Sequence, residues 1–144
     1  MGESVTSKHT PGPWRWELNL ASKQVRLCGG KVKYDLTVMG FVRWGMGNAA
    51  PRFNVERREN LHLMTRADEL SVVVPGREHH SDWFRDIDHP DARLIAAAPE
   101  LLEAVERLLI GAAACAIPHP KEREVLQMAV DFAIQAKRKA KGGA

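Results

Sequence analysis

Apolar residues follow a helical period most clearly in the last third of the chain. Between residues 99 and 112 they recur at intervals that place them on one stripe of a helix: Leu101, Leu102, Val105, Leu108, Leu109 and Ala112. A second stripe follows a Pro-containing turn and predicts a partner helix over 122–139: Val125, Met128, Ala129, Phe132 and Ala136. The two stripes predict an antiparallel helical hairpin in which they face each other.

A proline interrupts the apolar pattern just before this hairpin. Residues 91–98 predict a short helix that the chain enters through His89-Pro90. Because Pro99 disfavours helical geometry at Ala98, the segment 89–109 is predicted to form two helices that are separated at this point.

The first half of the chain has shorter patterns, typical of strands. Aromatic and β-branched residues in 14–18, 24–28 and 33–44 predict a three-stranded antiparallel meander. Residues 45–54 (GMGNAAPRFN) are predicted to be a loop, residues 55–70 a short amphipathic helix, and residues 71–74 (SVVV) a fourth strand or a buried connector. The predicted fold class is therefore α+β: a small antiparallel sheet of three or four strands, followed by the helical hairpin packed on it.

Length and composition indicate one domain. The 144 residues suit a single α+β domain over 9–137, with a disordered N-terminus over 1–8 and a flexible basic tail over 138–144. No apolar run approaches the roughly 20 residues that cross a bilayer, and the first ten residues lack a signal-peptide core. We therefore expect a cytoplasmic protein without a membrane partner, with Cys28 and Cys115 as reduced thiols.

Charge is unevenly distributed along the chain. Residues 1–58 contain 10 Lys and Arg against 4 Asp and Glu, whereas residues 59–91 contain 3 against 8. The basic N-terminal part suits an anionic partner, such as a phosphate-bearing ligand or a nucleic acid. An ordinary solvated surface with a sign asymmetry explains the same counts, so both interpretations stay open.

The segment 76–91 (GREHHSDWFRDIDHPD) carries the densest set of chemically active side chains. His79, His80 and Asp82 are possible metal ligands, but their spacing matches no known metal motif, and we predict neither a metal site nor a cofactor. The neighbouring run Trp83-Phe84-Arg85 can stack on a base, or form a hydrophobic plug beneath the loop. With no nucleophile elbow or Walker loop in the sequence, we expect a protein that is not an enzyme.

Two blocks of sequence point to a family. HTPGPW at residues 9–14 and DARLIAAAPELLEAV at residues 91–105 resemble the paired blocks of small bacteriophage and prophage proteins, in which Asn usually stands where this chain has Asp91. In layout, a small sheet before a helical hairpin, the chain is similar to phage Thoeris anti-defence proteins. Those are oligomeric, non-enzymatic sponges that hold cyclic ADP-ribose signals and, in some cases, cyclic dinucleotides.

The resemblance implies a phage-encoded binding protein that counters host defence by sequestering a nucleotide signal in the cytoplasm of the infected bacterium. It implies a homo-oligomer, and a site built from cations for phosphates and aromatic rings for bases. The candidate ligand-binding residues are Arg43, Trp44, Arg52, Trp83, Phe84, Arg85, Asp91 and Arg93. The alternative is an accessory protein that binds a host protein, or less favourably a nucleic acid, through the hairpin or the basic N-terminal half.

Overall fold

The computed structural model describes residues 9–30, 36–58, 61–79 and 85–143. Seven strands precede three helices along the chain, which confirms the α+β class. The strands are β1 (Arg15–Asn19), β2 (Gln24–Gly29), β3 (Leu36–Trp44), β4 (Asn48–Arg58), β5 (Leu61–Arg66), β6 (Ser71–Val73) and β7 (Arg85–Ile87). The helices are α1 (Pro90–Ala96), α2 (Ala98–Ala114) and α3 (Pro120–Ala140).

Strands β1 to β5 form one antiparallel meander in the order β1-β2-β3-β4-β5, and β6 pairs with β7 in a separate antiparallel ribbon. The predicted antiparallel sheet is confirmed, but it has five strands where three or four were predicted. A β-bulge interrupts the pairing of β2 with β3 between Leu27 and Cys28, and another interrupts β4 between Asn54 and Glu56. Gly40 pairs in regular register with both neighbouring strands.

The prediction of a helix over residues 55–70 is wrong. These residues continue β4 and form β5, which pairs with β4 from Arg58 and Leu61 back to Arg52 and Arg66. Apolar residues three apart are compatible with either structure over so short a run, and the pairing with β4 decides for the strand. The predicted loop over 45–54 shrinks to a tight turn, since β4 begins at Asn48.

Two glycines make that tight turn possible. Gly45 and Gly47 have φ of 67° and 113°, values that residues with a Cβ rarely adopt. The turn therefore joins β3 directly to β4, and β3 and β4 pair from Trp44 and Asn48 to Met39 and Phe53.

The core of the first unit lies between the sheet and α1. Phe53 of β4, Ala67 and Ala92 of α1 are buried together, and three partly buried residues pack against them: Met39, Leu70 and Ile87. Helix α1 ends at Ala96 and α2 begins at Ala98, with Pro99 in its first turn. The predicted break before Pro99 is confirmed.

Helices α2 and α3 contact each other and form the predicted hairpin. Both helices carry half-buried apolar residues: Leu102, Val105 and Leu109 on α2, and Leu126, Val130 and Ile134 on α3. Glu106 of α2 accepts from Lys141 Nζ at 2.5 Å and lies 3.5 Å from Lys137 Nζ. The hydrogen bond from Lys141, together with the nearby charges, lowers the pKa of the Glu106 carboxyl.

The prediction of which apolar residues of α3 are covered is wrong. Val125, Met128 and Phe132 are 68%, 68% and 76% exposed, whereas Leu126, Val130 and Ile134, one or two positions away, are half-buried. The difference arises because α3 is apolar over more than half of its circumference, so that two stripes compete. Apolar periodicity alone does not tell which of the two stripes is covered.

The chain divides into two compact units, Met1–Ile95 and Ala96–Ala144, where the sequence predicts one domain over 9–137. That the hairpin packs on the sheet stays a prediction. Helix α3 continues to Ala140, so residues 138–140 of the predicted tail are helical. None of the helices in the described ranges is long and apolar enough to cross a membrane.

Candidate functional site

A fully buried carboxylate joins the two ends of the first unit. The backbone N–H of Thr10 donates to Asp91 Oδ1 at 2.5 Å, and the Thr10 hydroxyl donates to Asp91 Oδ2 at 2.5 Å. Both residues have no exposed surface. The contact spans 81 positions of sequence and connects the HTPGPW block with the DARLIAAAPELLEAV block.

The His89 side chain lies next to this contact and hydrogen-bonds to the backbone on both sides. The backbone N–H of Asp91 donates to His89 Nδ1 at 3.1 Å, so His89 Nε2 carries the ring proton and donates to the Asn54 carbonyl oxygen at 2.9 Å. The imidazole is 6% exposed and stacks on Phe53 with the ring centroids 5.1 Å apart. Because backbone groups use both ring nitrogens, His89 holds the start of α1 and offers no free nitrogen for proton transfer.

The remainder of the HTPGPW block wraps over the end of β2. Trp14 Nε1–H donates to the Thr10 carbonyl oxygen at 2.9 Å, and Gly30 N–H donates to the Pro11 carbonyl oxygen at 2.9 Å. A Cβ added to Gly29 would lie 2.6 Å from that Pro11 oxygen. Only a glycine at this position allows the N-terminal segment to lie so close to β2.

The sheet carries a second group of interest, which we call the arginine–tryptophan patch: Trp44, Arg52 and Arg66. Arg52 of β4 pairs with Gly40 on one side and with Arg66 of β5 on the other. Paired residues of an antiparallel sheet share a face, and alternate residues along a strand return to it. Trp44, four residues after Gly40, therefore lies on the same face, and the Arg66 guanidinium carbon lies 5.9 Å from the centroid of its ring.

The two arginines of the patch differ in how their charge is balanced. Arg66 donates from Nε and Nη2 to the two carboxylate oxygens of Asp68, both at 3.0 Å, and its Nη2 lies 3.5 Å from Glu69 Oε1. The hydrogen bonds to Asp68, followed by the charges of Asp68 and Glu69, raise the pKa of the Arg66 guanidinium. The charge of Arg66 is thus neutralised from within the chain.

Arg52 has no such compensation within the part of the chain that the structure describes. Its Nε is buried and has no hydrogen-bond partner there, and no carboxylate lies within ion-pair distance of its guanidinium. Its Nη2 would lie 4.0 Å from a Cβ added to Gly40, so the side chain runs across the strand that carries Trp44. Arg52 is therefore the arginine of the patch whose charge no described carboxylate balances.

Those predicted ligand-binding residues that the structure describes do not form one group. Trp44 and Arg52 share the arginine–tryptophan patch, whereas Arg43 precedes Trp44 on β3 and lies on the opposite face of the sheet. Arg93 of α1 forms an exposed ion pair with Asp88, and Asp91 is the buried carboxylate described above.

Three further predicted residues are consecutive in the sequence and end at the start of β7. Trp83 and Phe84 lie outside the described residues, and Arg85 begins β7. Of the possible metal ligands, His80 and Asp82 also lie outside the described residues, and the described residues contain no group of three or more potential ligands that could hold a metal ion.

Comparison with known proteins identifies the family. A family model described as Salmonella phage P22 protein Y8K6 matches residues 1–144, the whole chain. The chain belongs to this phage family. No curated protein and no solved structure matched.

Within this phage protein, sequence reasoning missed Thr10, His89 and Arg66. Thr10 lies inside the HTPGPW block, and the joint presence of two distant blocks was a signal that they touch. Arg66 gave no signal, because its place beside Arg52 follows from the register of β4 with β5, and that pair was predicted as a loop followed by a helix.

Proposed function

We propose that this phage protein is a non-enzymatic binding protein that sequesters a nucleotide signal of host immunity, of the cyclic nucleotide or ADP-ribose type. The observation that carries the proposal is the arginine–tryptophan patch, where no carboxylate of the described residues pairs with Arg52, on the face that also presents Trp44. Phosphate binding requires a guanidinium that is not already paired, and base binding requires an accessible aromatic ring. Trp44 is 49% exposed.

The buried junction of Thr10 with Asp91 supports a role without catalysis. The titratable groups that it gathers, Asp91 and His89, are buried and are engaged with backbone or hydroxyl donors and acceptors. A general acid or base must reach the proton that it transfers. These two groups instead connect the N-terminal block to α1.

Substitution of Arg52 tests the proposal. We expect Arg52→Gln to weaken binding of the recognised nucleotide by about tenfold or more, because a charge-assisted hydrogen bond contributes roughly 1.5–3 kcal/mol. Isothermal titration against cyclic ADP-ribose isomers and cyclic dinucleotides measures the affinity. Arg43→Gln is the matched control, since it removes the same charge from the opposite face and should leave the affinity within about twofold. Absence of heat and of thermal shift across the whole panel would refute the proposal.

A second candidate function is protein binding through the hairpin, either to a second copy of the chain or to a host protein. It is favoured by the exposed stripe of α3, where Val125, Met128 and Phe132 keep 68–76% of their surface accessible. Exposed apolar surface of this kind is typical of interfaces. If the stripe forms a homo-oligomer, light scattering will find an oligomer for the native chain and a monomer for Phe132→Ser. A native monomer that captures no protein from host lysate contradicts this candidate.

A further inference from the structure

We infer that the arginine–tryptophan patch selects an isolated, singly charged phosphodiester that lies next to a base, in preference to a phosphomonoester or a pyrophosphate. The inference rests on the proposed function and narrows it, because a cyclic nucleotide carries such a phosphodiester whereas ADP-ribose carries a pyrophosphate. It follows from the distribution of charge around the patch, where Arg52 is the one arginine of the patch that no carboxylate of the described residues balances.

The positive charge of Arg66 is already balanced by neighbouring carboxylates. Its guanidinium is bound at 3.0 Å by both carboxylate oxygens of Asp68 and approached at 3.5 Å by Glu69. These three groups together carry a formal charge of −1. Arg66 therefore supplies no net attraction for an anion. The carboxylates of Asp68 and Glu69 repel an anion that comes close to them.

Arg52 supplies the positive charge with which the phosphodiester would pair. It stands directly opposite Arg66 on the neighbouring strand, at a distance of about 5 Å between Cβ atoms for such pairs. Its charge is unbalanced in the described part of the chain. A phosphodiester neutralises this single charge completely, whereas a second negative charge on the same or the adjacent phosphorus meets the carboxylates of Asp68 and Glu69.

The Trp44 ring supplies the aromatic surface for the base. Trp44 is half-exposed, and Arg66 lies near its ring at 5.9 Å from the centroid. This contact keeps the ring on the same face as Arg52. A base can contact the accessible part of the indole while its phosphodiester pairs with Arg52, since stacking on an aromatic side chain tolerates any base.

The experiment compares probes that share one nucleoside. Titration calorimetry at pH 7.5 measures the affinity of the full chain for 3′,5′-cyclic AMP, 5′-AMP, ADP-ribose and the linear dinucleotide ApA. We expect both phosphodiesters to bind at least about fivefold more tightly than 5′-AMP and ADP-ribose. The ratio between cyclic AMP and ApA then shows whether a cyclic nucleotide or a nucleic acid strand is the source of the phosphodiester.

Removal of the two carboxylates tests the cause. The double variant Asp68→Asn, Glu69→Gln is expected to improve the binding of 5′-AMP by about fivefold and to bring it level with cyclic AMP. Glu122→Gln, Glu124→Gln is the matched control, since it removes the same charge from α3 and should leave the ratio unchanged. An unchanged ratio in the first double variant overturns the inference, as does native binding of 5′-AMP or ADP-ribose as tight as that of cyclic AMP. Failure of every probe to bind would instead count against the proposed function.

Discussion

Replacement of Asp91 with alanine is expected to lower the free energy of unfolding by about 3 kcal/mol, because it leaves two buried donors of Thr10 without their acceptor. Thr10 and Asp91 have no exposed surface, so water cannot replace the lost carboxylate without opening the junction. The backbone N–H and the hydroxyl of Thr10 both lose a hydrogen bond of 2.5 Å. Urea unfolding monitored by tryptophan fluorescence measures the loss.

Asp91→Asn is the matched control for this variant. The amide oxygen can accept from the Thr10 N–H, and the amide nitrogen can donate to the Thr10 hydroxyl oxygen, so both contacts with Thr10 keep a hydrogen bond and only the hydroxyl proton loses its acceptor. We expect a loss below about 1 kcal/mol. Equal losses for Asp91→Ala and Asp91→Asn would mean that the charge itself, and not the hydrogen bonds, stabilises the junction.

Gly29→Ala is expected to destabilise the protein by about 2 kcal/mol, because the new methyl group would overlap the N-terminal block. A Cβ at this position would lie 2.6 Å from the Pro11 carbonyl oxygen and 2.9 Å from Thr10 Cγ2. One neighbour is backbone and the other is fully buried, so neither can move aside without disturbing the contact with Asp91. Differential scanning calorimetry of the variant measures the decrease in melting temperature.

Gly111→Ala makes the same chemical change where space is free. Gly111 lies within α2, and nothing lies within 4 Å of a Cβ added there. Alanine is favoured over glycine inside a helix by about 0.5–1 kcal/mol, so this variant should be neutral or slightly stabilised. A Gly29→Ala variant as stable as Gly111→Ala would show that the N-terminal block does not pack against β2.

The parts of the fold that sequence predicts are those set by local patterns. The helical hairpin follows from apolar periodicity, and the break between α1 and α2 follows from Pro99, whose steric effect acts on the residue before it. Strands β4 and β5 could not be predicted in this way, because their apolar residues also fit a short helix. Their conformation is decided by pairing between strands, which no local pattern records.

The candidate site shows the same division. The structure places Trp44 and Arg52 on one face of the sheet, on the two strands that flank the β3–β4 turn; that they bind a ligand stays a prediction. Arg66 was missed because only the register of β4 with β5 brings it beside Arg52. Asp91 was predicted as a ligand contact from its place in a motif, but motif membership does not separate a buried structural carboxylate from an exposed one. Contact with a ligand by Asp91 stays a prediction, one that requires the junction to open.

The HTPGPW block and the DARLIAAAPELLEAV block thus meet in a buried structural contact, and the arginine–tryptophan patch lies elsewhere, on the sheet. A double-mutant cycle between Thr10→Val and Asp91→Ala tests this claim most directly, since valine keeps the shape of threonine and removes only its hydroxyl. We predict a coupling free energy of at least about 1 kcal/mol between the two positions, measured by urea unfolding. Strictly additive losses from the two substitutions would contradict this contact, because they would show that the Thr10 hydroxyl does not interact with Asp91.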